Sequence, residues 1–166
     1  MDFVVLLLLK QIKNSSVDTI AQSGGQLEDP LEAPSLREEM EALPTLGRLK
    51  FSISFQMIVS LFDPIASAYE QRLLMLSKPE AFIFESKLTW LVQIIASILG
   101  GRLATSSTPE IDKLDGELSA RLFRLMKLHD QRVQSPNFAP STSTPGLELA
   151  LLRFLQEFRK VKTQQR

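Results

Sequence analysis

From Phe51 to Leu76 the apolar residues recur in steps of three and four: Phe51, Phe55, Ile58, Val59, Phe62, Ile65, Ala66, Tyr69, Leu73 and Leu76. That spacing draws one face of an α-helix, whereas a half-buried strand alternates every second residue. Pro64 falls inside the stripe, so Asp63-Pro64 either restarts the helix with Asp63 as cap or bends it. A second helix is expected from about Glu80 to Leu99, ended by Gly100-Gly101. Its stretch Leu88 to Leu99 is nearly continuous apolar sequence. Glu85 and Lys87 limit that run, which favours a buried core helix over a membrane span.

The same reading extends in both directions. Thr108-Pro109 opens a helix whose stripe is Ile111, Leu114, Leu118, Leu122 and Leu125, with acids early and bases late, as the helix dipole prefers. Thr144-Pro145 opens another, with Leu147, Leu151, Phe154, Phe158 and Val161 on one side. Upstream, Ser35 and Glu38 form a capping box for a short helix that Pro44 is expected to break or kink, with Gly47 as its stop. Asp2 to about Asn14 reads as helix, and the run Phe3 to Leu9 is too short to cross a bilayer. It also lacks the basic start and cleavage site of a signal peptide. Ser23-Gly24-Gly25, Asp29-Pro30 and Ala33-Pro34 read as loop. A flexible loop is expected at 131–144, with Ser135 to Thr144 as its Pro/Ser/Thr-rich part.

Five or six helices with no convincing strand make an all-α chain. Long helices follow one another about every thirty residues, the spacing of antiparallel helix pairs in a HEAT-type solenoid. An ordinary helical bundle gives a similar pattern.

Composition narrows the function classes. The chain has 166 residues, 44% apolar and 23% charged, enough for one real core. Lysine plus arginine equals aspartate plus glutamate at 19 each, without the basic excess that nucleic-acid binding draws on. No cysteine is present, which rules out disulfides, thiolate metal sites and a cysteine nucleophile within this sequence.

Every candidate for chemistry has a blander reading. His129 is the only histidine, and its neighbour Asp130 does not share its helix face, so no triad is indicated. Asp112, Asp115 and Glu117 lack a histidine at ligand spacing and read as an acidic first turn. Gly24-Gly25 and Gly100-Gly101 match no nucleotide fingerprint. Arg153, Arg159, Lys160, Lys162 and Arg166, interspersed with Glu148 and Glu157, read as a solvated basic helix end. Trp90 reads as core. The expectation is therefore no enzyme, no cofactor, no metal and no catalytic or partner-binding residue that the sequence can name.

One stretch carries a resemblance. Lys87-Leu88-Thr89-Trp90-Leu91-Val92, then Ile94-Ile95 and Gly100-Gly101-Arg102, resembles a segment of the exportin-seven group, also called Ran-binding proteins sixteen and seventeen, within the importin-β (karyopherin) superfamily. The likeness continues through Ser107-Thr108, Asp112, Asp115-Gly116-Glu117-Leu118, Leu147 to Leu152 and Glu157-Phe158-Arg159-Lys160. Upstream, Leu27 to Leu31 and Leu61-Phe62-Asp63 also fit. It covers about Leu27 to Lys162, leaving 1–26 as a divergent, partly helical segment and 27–166 as the HEAT-like part.

The loop from Ser135 is longer than in that group, and Pro64 departs from its helix-friendly pattern. The group's receptors are also several times longer, so the chain resembles an internal section of their N-terminal half. The resemblance implies an α-solenoid fragment of an exportin. It further implies Ran-GTP, protein cargo and nucleoporins as partners, with GTP present only through bound Ran. Superfamily members place their principal Ran contacts in their first repeats, outside this section, so the resemblance implies weak Ran binding or none by this section alone. The implied location is nucleus and cytoplasm, at the nuclear pore, with neither direct nucleic-acid binding nor membrane insertion. A generic helical interaction module with an unknown partner is the alternative.

Overall fold

The computed structural model describes residues 34–101, 108–135, 138 and 145–164. Within them lie five helices: α1 Pro34–Leu49, α2 Phe51–Arg72, α3 Lys78–Gly100, α4 Pro109–Val133 and α5 Pro145–Gln164. No strand occurs among the described residues. The helix expected over Asp2 to Asn14, the loop signals up to Ala33, the cap Thr144 and most of the 131–144 loop lie outside them.

Side-chain contacts fix how the helices run. Tyr69 meets Glu85 while Arg72 meets Glu80, so α2 and α3 are antiparallel. Phe123 stacks on Phe154 and Phe158, and His129 approaches Glu148, so α4 and α5 are antiparallel too. Between these hairpins the order rises together. Asp63 faces Arg121 and Glu70 faces Arg124, making α2 parallel to α4. Thr89 lies beside Gly146, Gln93 and Ser97 beside Arg153, and Gly100 beside Glu157, making α3 parallel to α5. Two antiparallel helix pairs stacked like on like form a solenoid unit rather than a closed bundle. The expected helix-pair solenoid fragment is what the chain builds.

The most apolar helix occupies the centre. Leu88, Leu91, Val92, Ile94, Ile95 and Ile98 are fully buried on α3, and Trp90 keeps only 7% of its surface. Both α2 and the span Pro79–Gly100 are long and apolar enough to cross a bilayer, yet 72% of the α3 window is buried inside the protein against 22% of the α2 window. Fully burying each such aliphatic side chain contributes roughly 1.5–3 kcal/mol.

Several boundaries differ from the sequence reading. Pro44 does not break α1, which runs through it and through Gly47 to Leu49. The helix survives because tertiary packing outweighs one missing hydrogen bond: Leu43 is fully buried, and Pro44 seats against Gly101 at the end of α3. Gly47 is no stop. A β-carbon there would lie 2.9 Å from the Ile98 side chain, so the glycine permits close approach of α1 to α3. Ser35 lies inside α1 rather than capping it.

Pro64 likewise sits within an unbroken α2, and Asp63 is turned to Arg121 instead of capping a restart. That helix stops at Arg72, short of Leu76. The start of α3 is set by a device the reading missed. Ser77 donates from its backbone N–H and its hydroxyl to the Glu80 carboxylate, at 3.2 and 2.7 Å. Those bonds hold the Glu80 carboxyl below its usual range. Thr108 caps α4 as expected, accepting from the Ile111 N–H at 3.2 Å. Gly101 closes α3 with φ −80°, so it supplies room for Pro44 rather than a left-handed turn.

Candidate interaction faces and a buried polar node

The residues singled out for chemistry resolve into structural ties. Asp115, read as part of an acidic first turn, is 7% exposed and pairs with Arg48 at 2.9 Å. Arg48 also donates to the Ile98 carbonyl at 3.0 Å and lies over the Phe51 ring at 4.4 Å. One guanidinium therefore ties α1 to α2, α3 and α4. Glu117 reaches only Arg121, one turn on in the same helix. Among the described residues, no three His, Asp or Glu side chains converge as a metal site.

Arg153 is not part of a solvated basic end. It reaches across to α3 and donates to Gln93 Oε1 at 2.8 Å and the Ser97 hydroxyl at 3.4 Å. Lys160 fits the surface reading, paired with Glu157 at 2.7 Å.

At the other end of α3 lies a second, deeper tie. Glu85, read only as a charge limiting an apolar run, is fully buried. It accepts hydrogen bonds from Arg132 of α4 and, at 3.3 Å, from the Tyr69 hydroxyl of α2. His129 Nδ1 stands 3.3 Å from the same hydroxyl, and its Nε2 is 3.6 Å from Glu148 of α5. Phe138, beyond the end of α4, lays its ring 5.6 Å from the Arg132 guanidinium. Three helices thus meet at one carboxylate, and His129 links the fourth through Glu148. Burial pushes the Tyr69 hydroxyl up to about 12, with Arg132 partly offsetting it. Burial also lowers the proton affinity of His129, against the pull of Glu148. The arrangement holds helices together.

Besides the exposed Leu49, Ile53, Leu74 and Met75, two further surfaces stand out among the described residues. Between α2 and α4 runs a cleft of about 240 Å3 over Phe62, Ala66, Leu125 and Leu128, bridged by Asp63–Arg121 and Glu70–Arg124. Its charges are already matched. On α5, Leu149 and Leu152 project outward, 59% and 56% exposed, on the side away from the core residues Leu147, Ala150, Leu151 and Phe154. Phe123 of α4 is 40% exposed where it meets Phe154 and Phe158 of α5. A large apolar residue left in water at adjacent positions marks a contact surface more often than a buried one does.

Known proteins are similar to this chain. The family model for the Exportin-7-like TPR domain matches residues 16–165. Exportin-7-B of Xenopus laevis is 39% identical over 149 residues, covering 88% of this chain and 13% of that protein. Ran-binding protein 17 of Mus musculus is 38% identical over 139 residues, covering 81% of the chain and 12% of the relative. Exportin-7 of Dictyostelium discoideum is 30% identical over 158 residues, covering 93% and 15%. No solved structure gives a significant match. The chain spans about an eighth of the length of the curated relatives it matches.

Proposed function

The chain belongs to the Exportin-7-like family, and from that premise we propose that it serves as one section of a nuclear transport receptor, engaging Ran-GTP and protein cargo through the faces of its stacked helix pairs. The observation that carries this reading is 39% identity to an exportin-7 across the two hairpins whose like helices stack in parallel. Stacked pairs offer extended faces for protein contact and need no reacting group. The chain acts by binding, and GTP enters only through bound Ran.

Within the receptor the outward leucines of α5 lie where a following helix pair packs. Ran-GTP and cargo bind together, each raising the affinity for the other by the same factor, as linkage requires. The setting for that cycle is the nucleus, the cytoplasm and the pore, where nucleoporins are further partners. The polypeptide stays out of the membrane, its most apolar helix satisfied inside the protein.

A pulldown of the purified chain against Ran loaded with GTP or GDP tests the Ran contact. Weak capture selective for GTP is the expected result, because the principal Ran contacts belong to earlier repeats. Equal capture of both forms, or none, overturns Ran recognition by this section and leaves the receptor's other repeats to supply it. A parallel pulldown with cargo candidates, with and without Ran-GTP, tests the coupling: cargo retention must rise when Ran-GTP is added.

A further inference from the structure

Helix α2 carries an apolar stripe beyond the one that builds the core. Only 22% of its apolar window is buried, against 72% for α3. Phe51, Ile58, Phe62 and Tyr69 are buried, and Tyr69 marks the side that meets α3. Asp63 and Glu70 mark the side that meets α4. Gln56, Ser60 and Ser67 are exposed and polar, a strip suited to water. Ile53, Met57, Leu61, Pro64 and Ala68, in steps of three and four, form a further side. By 3.6 residues per turn that stripe lies about 120° round the helix from Tyr69, on the flank turned away from α4. Ile53 is 42% exposed, Pro64 is exposed, and Met57, Leu61 and Ala68 are half-buried. A helix that already presents a polar strip to water has no need of an apolar one there.

One segment of this chain fits the flank. Phe3 to Leu9 is an unbroken apolar run, followed by Ile12. It lies outside residues 16–165, the part matched by the family model, so the shared section does not account for it. Chain order points to α2, because consecutive parts of a chain usually pack side by side. The segment precedes α1, and α1 joins α2 through the single residue Lys50. The intervening residues 15–33 reach up to about 60 Å when extended, and the whole of α2 is about 33 Å long. We propose that Phe3 to Leu9 seats on the Ile53 to Ala68 flank of α2 in the same molecule and closes that side of the stack. Apolar run and apolar flank are then removed from water together. This inference stands on the sides of α2 and the sequence of the segment, and does not depend on the transport reading.

The test uses the full chain, which has no cysteine of its own. Met57→Cys takes a nitroxide, and the amide signals of residues 3–9 are followed by NMR in isotope-labelled protein. Those signals are expected to lose intensity and to regain it when the nitroxide is reduced. The same label at Leu152→Cys, on α5, is expected to leave them sharp. So is a mixture in which one chain carries the nitroxide and the other the isotope, because the contact lies within one molecule. Leu6→Asp with Leu7→Asp must restore the signals beside the Met57→Cys label. Before labelling, that double substitution must also make the Met57→Cys thiol react faster with a maleimide. Signals of residues 3–9 that stay sharp beside the Met57→Cys label overturn the proposal. Equal broadening from Leu152→Cys does the same. Broadening in the mixture overturns it in favour of a second copy as the occupant. Broadening that survives Leu6→Asp with Leu7→Asp, or a thiol rate that ignores them, also contradicts it.

Discussion

The two seams between the hairpins are built from different chemistry. Where α3 meets α5, the surfaces pack closely: Gly146 leaves a prospective β-carbon 3.4 Å from Thr89, and Arg153 donates to two buried neutral side chains of α3. Where α2 meets α4, charged side chains bridge a cleft of about 240 Å3, and Glu70 and Arg124 stay 39% and 70% exposed. The first seam excludes water and holds the stack. The second is solvated and adjustable. A solenoid that keeps one seam tight and the other wet can flex by opening one side while the other side acts as its spine.

The largest effect is expected at the buried node, where Glu85 ties α3 to α2 and α4. Glu85→Ala removes the carboxylate that receives Arg132 and Tyr69 in a fully buried site. Breaking a buried pair from one side costs about 3–5 kcal/mol, and urea denaturation reads that loss directly. A change below about 1 kcal/mol would mean that Arg132 escapes to solvent and that the node is not a shared anchor. Arg153→Ala tests the tight seam alone. It strips charged donors from Gln93 and Ser97, which are 5% and 6% exposed, so a loss of about 1–3 kcal/mol is expected. A neutral result would place the strength of that seam in its apolar contacts only.

The smallest effect belongs to the wet seam. The Asp63 and Arg121 side chains are 47% and 27% exposed, although the pair is bidentate at 2.9 and 3.1 Å and Arg121 also lies over Phe55 at 5.8 Å. Asp63→Asn should cost less than about 1 kcal/mol, and less again in high salt. A loss as large as that of Arg153→Ala, or one that salt does not reduce, would erase the distinction between the seams.

What was legible in the sequence was the local part. The three-and-four stripes placed α2 to α5 and most of their core, and Thr108-Pro109 marked the start of α4. The misreadings came from partners far away in the chain. Pro44 reads as a break until Gly101 receives it, and Gly47 reads as a stop until Ile98 crowds it. Asp115 reads as dipole decoration because Arg48 is 67 residues away. Glu85 and Arg132, 47 residues apart, read as a run-limiting acid and a late base. One miss was local: Ser77 and Glu80 spell a capping box, hidden because the α2 stripe was carried past its real end to Leu76. The role proposed for the chain rests on its family, since no side-chain pattern along it names a partner.

The central claim is that two helix pairs stack with α3 parallel to α5. Because the chain has no cysteine, one engineered pair reports it cleanly. Thr89→Cys with Gly146→Cys brings two β-carbons near disulfide range. Thr89→Cys with Glu157→Cys serves as the control, since Glu157 lies beside Gly100 at the far end of α3. Under mild oxidation the first pair should cross-link within the monomer and the second should not. Cross-linking of the second pair instead of the first would mean that the helices run opposite ways, and the stacked-pair account would fall.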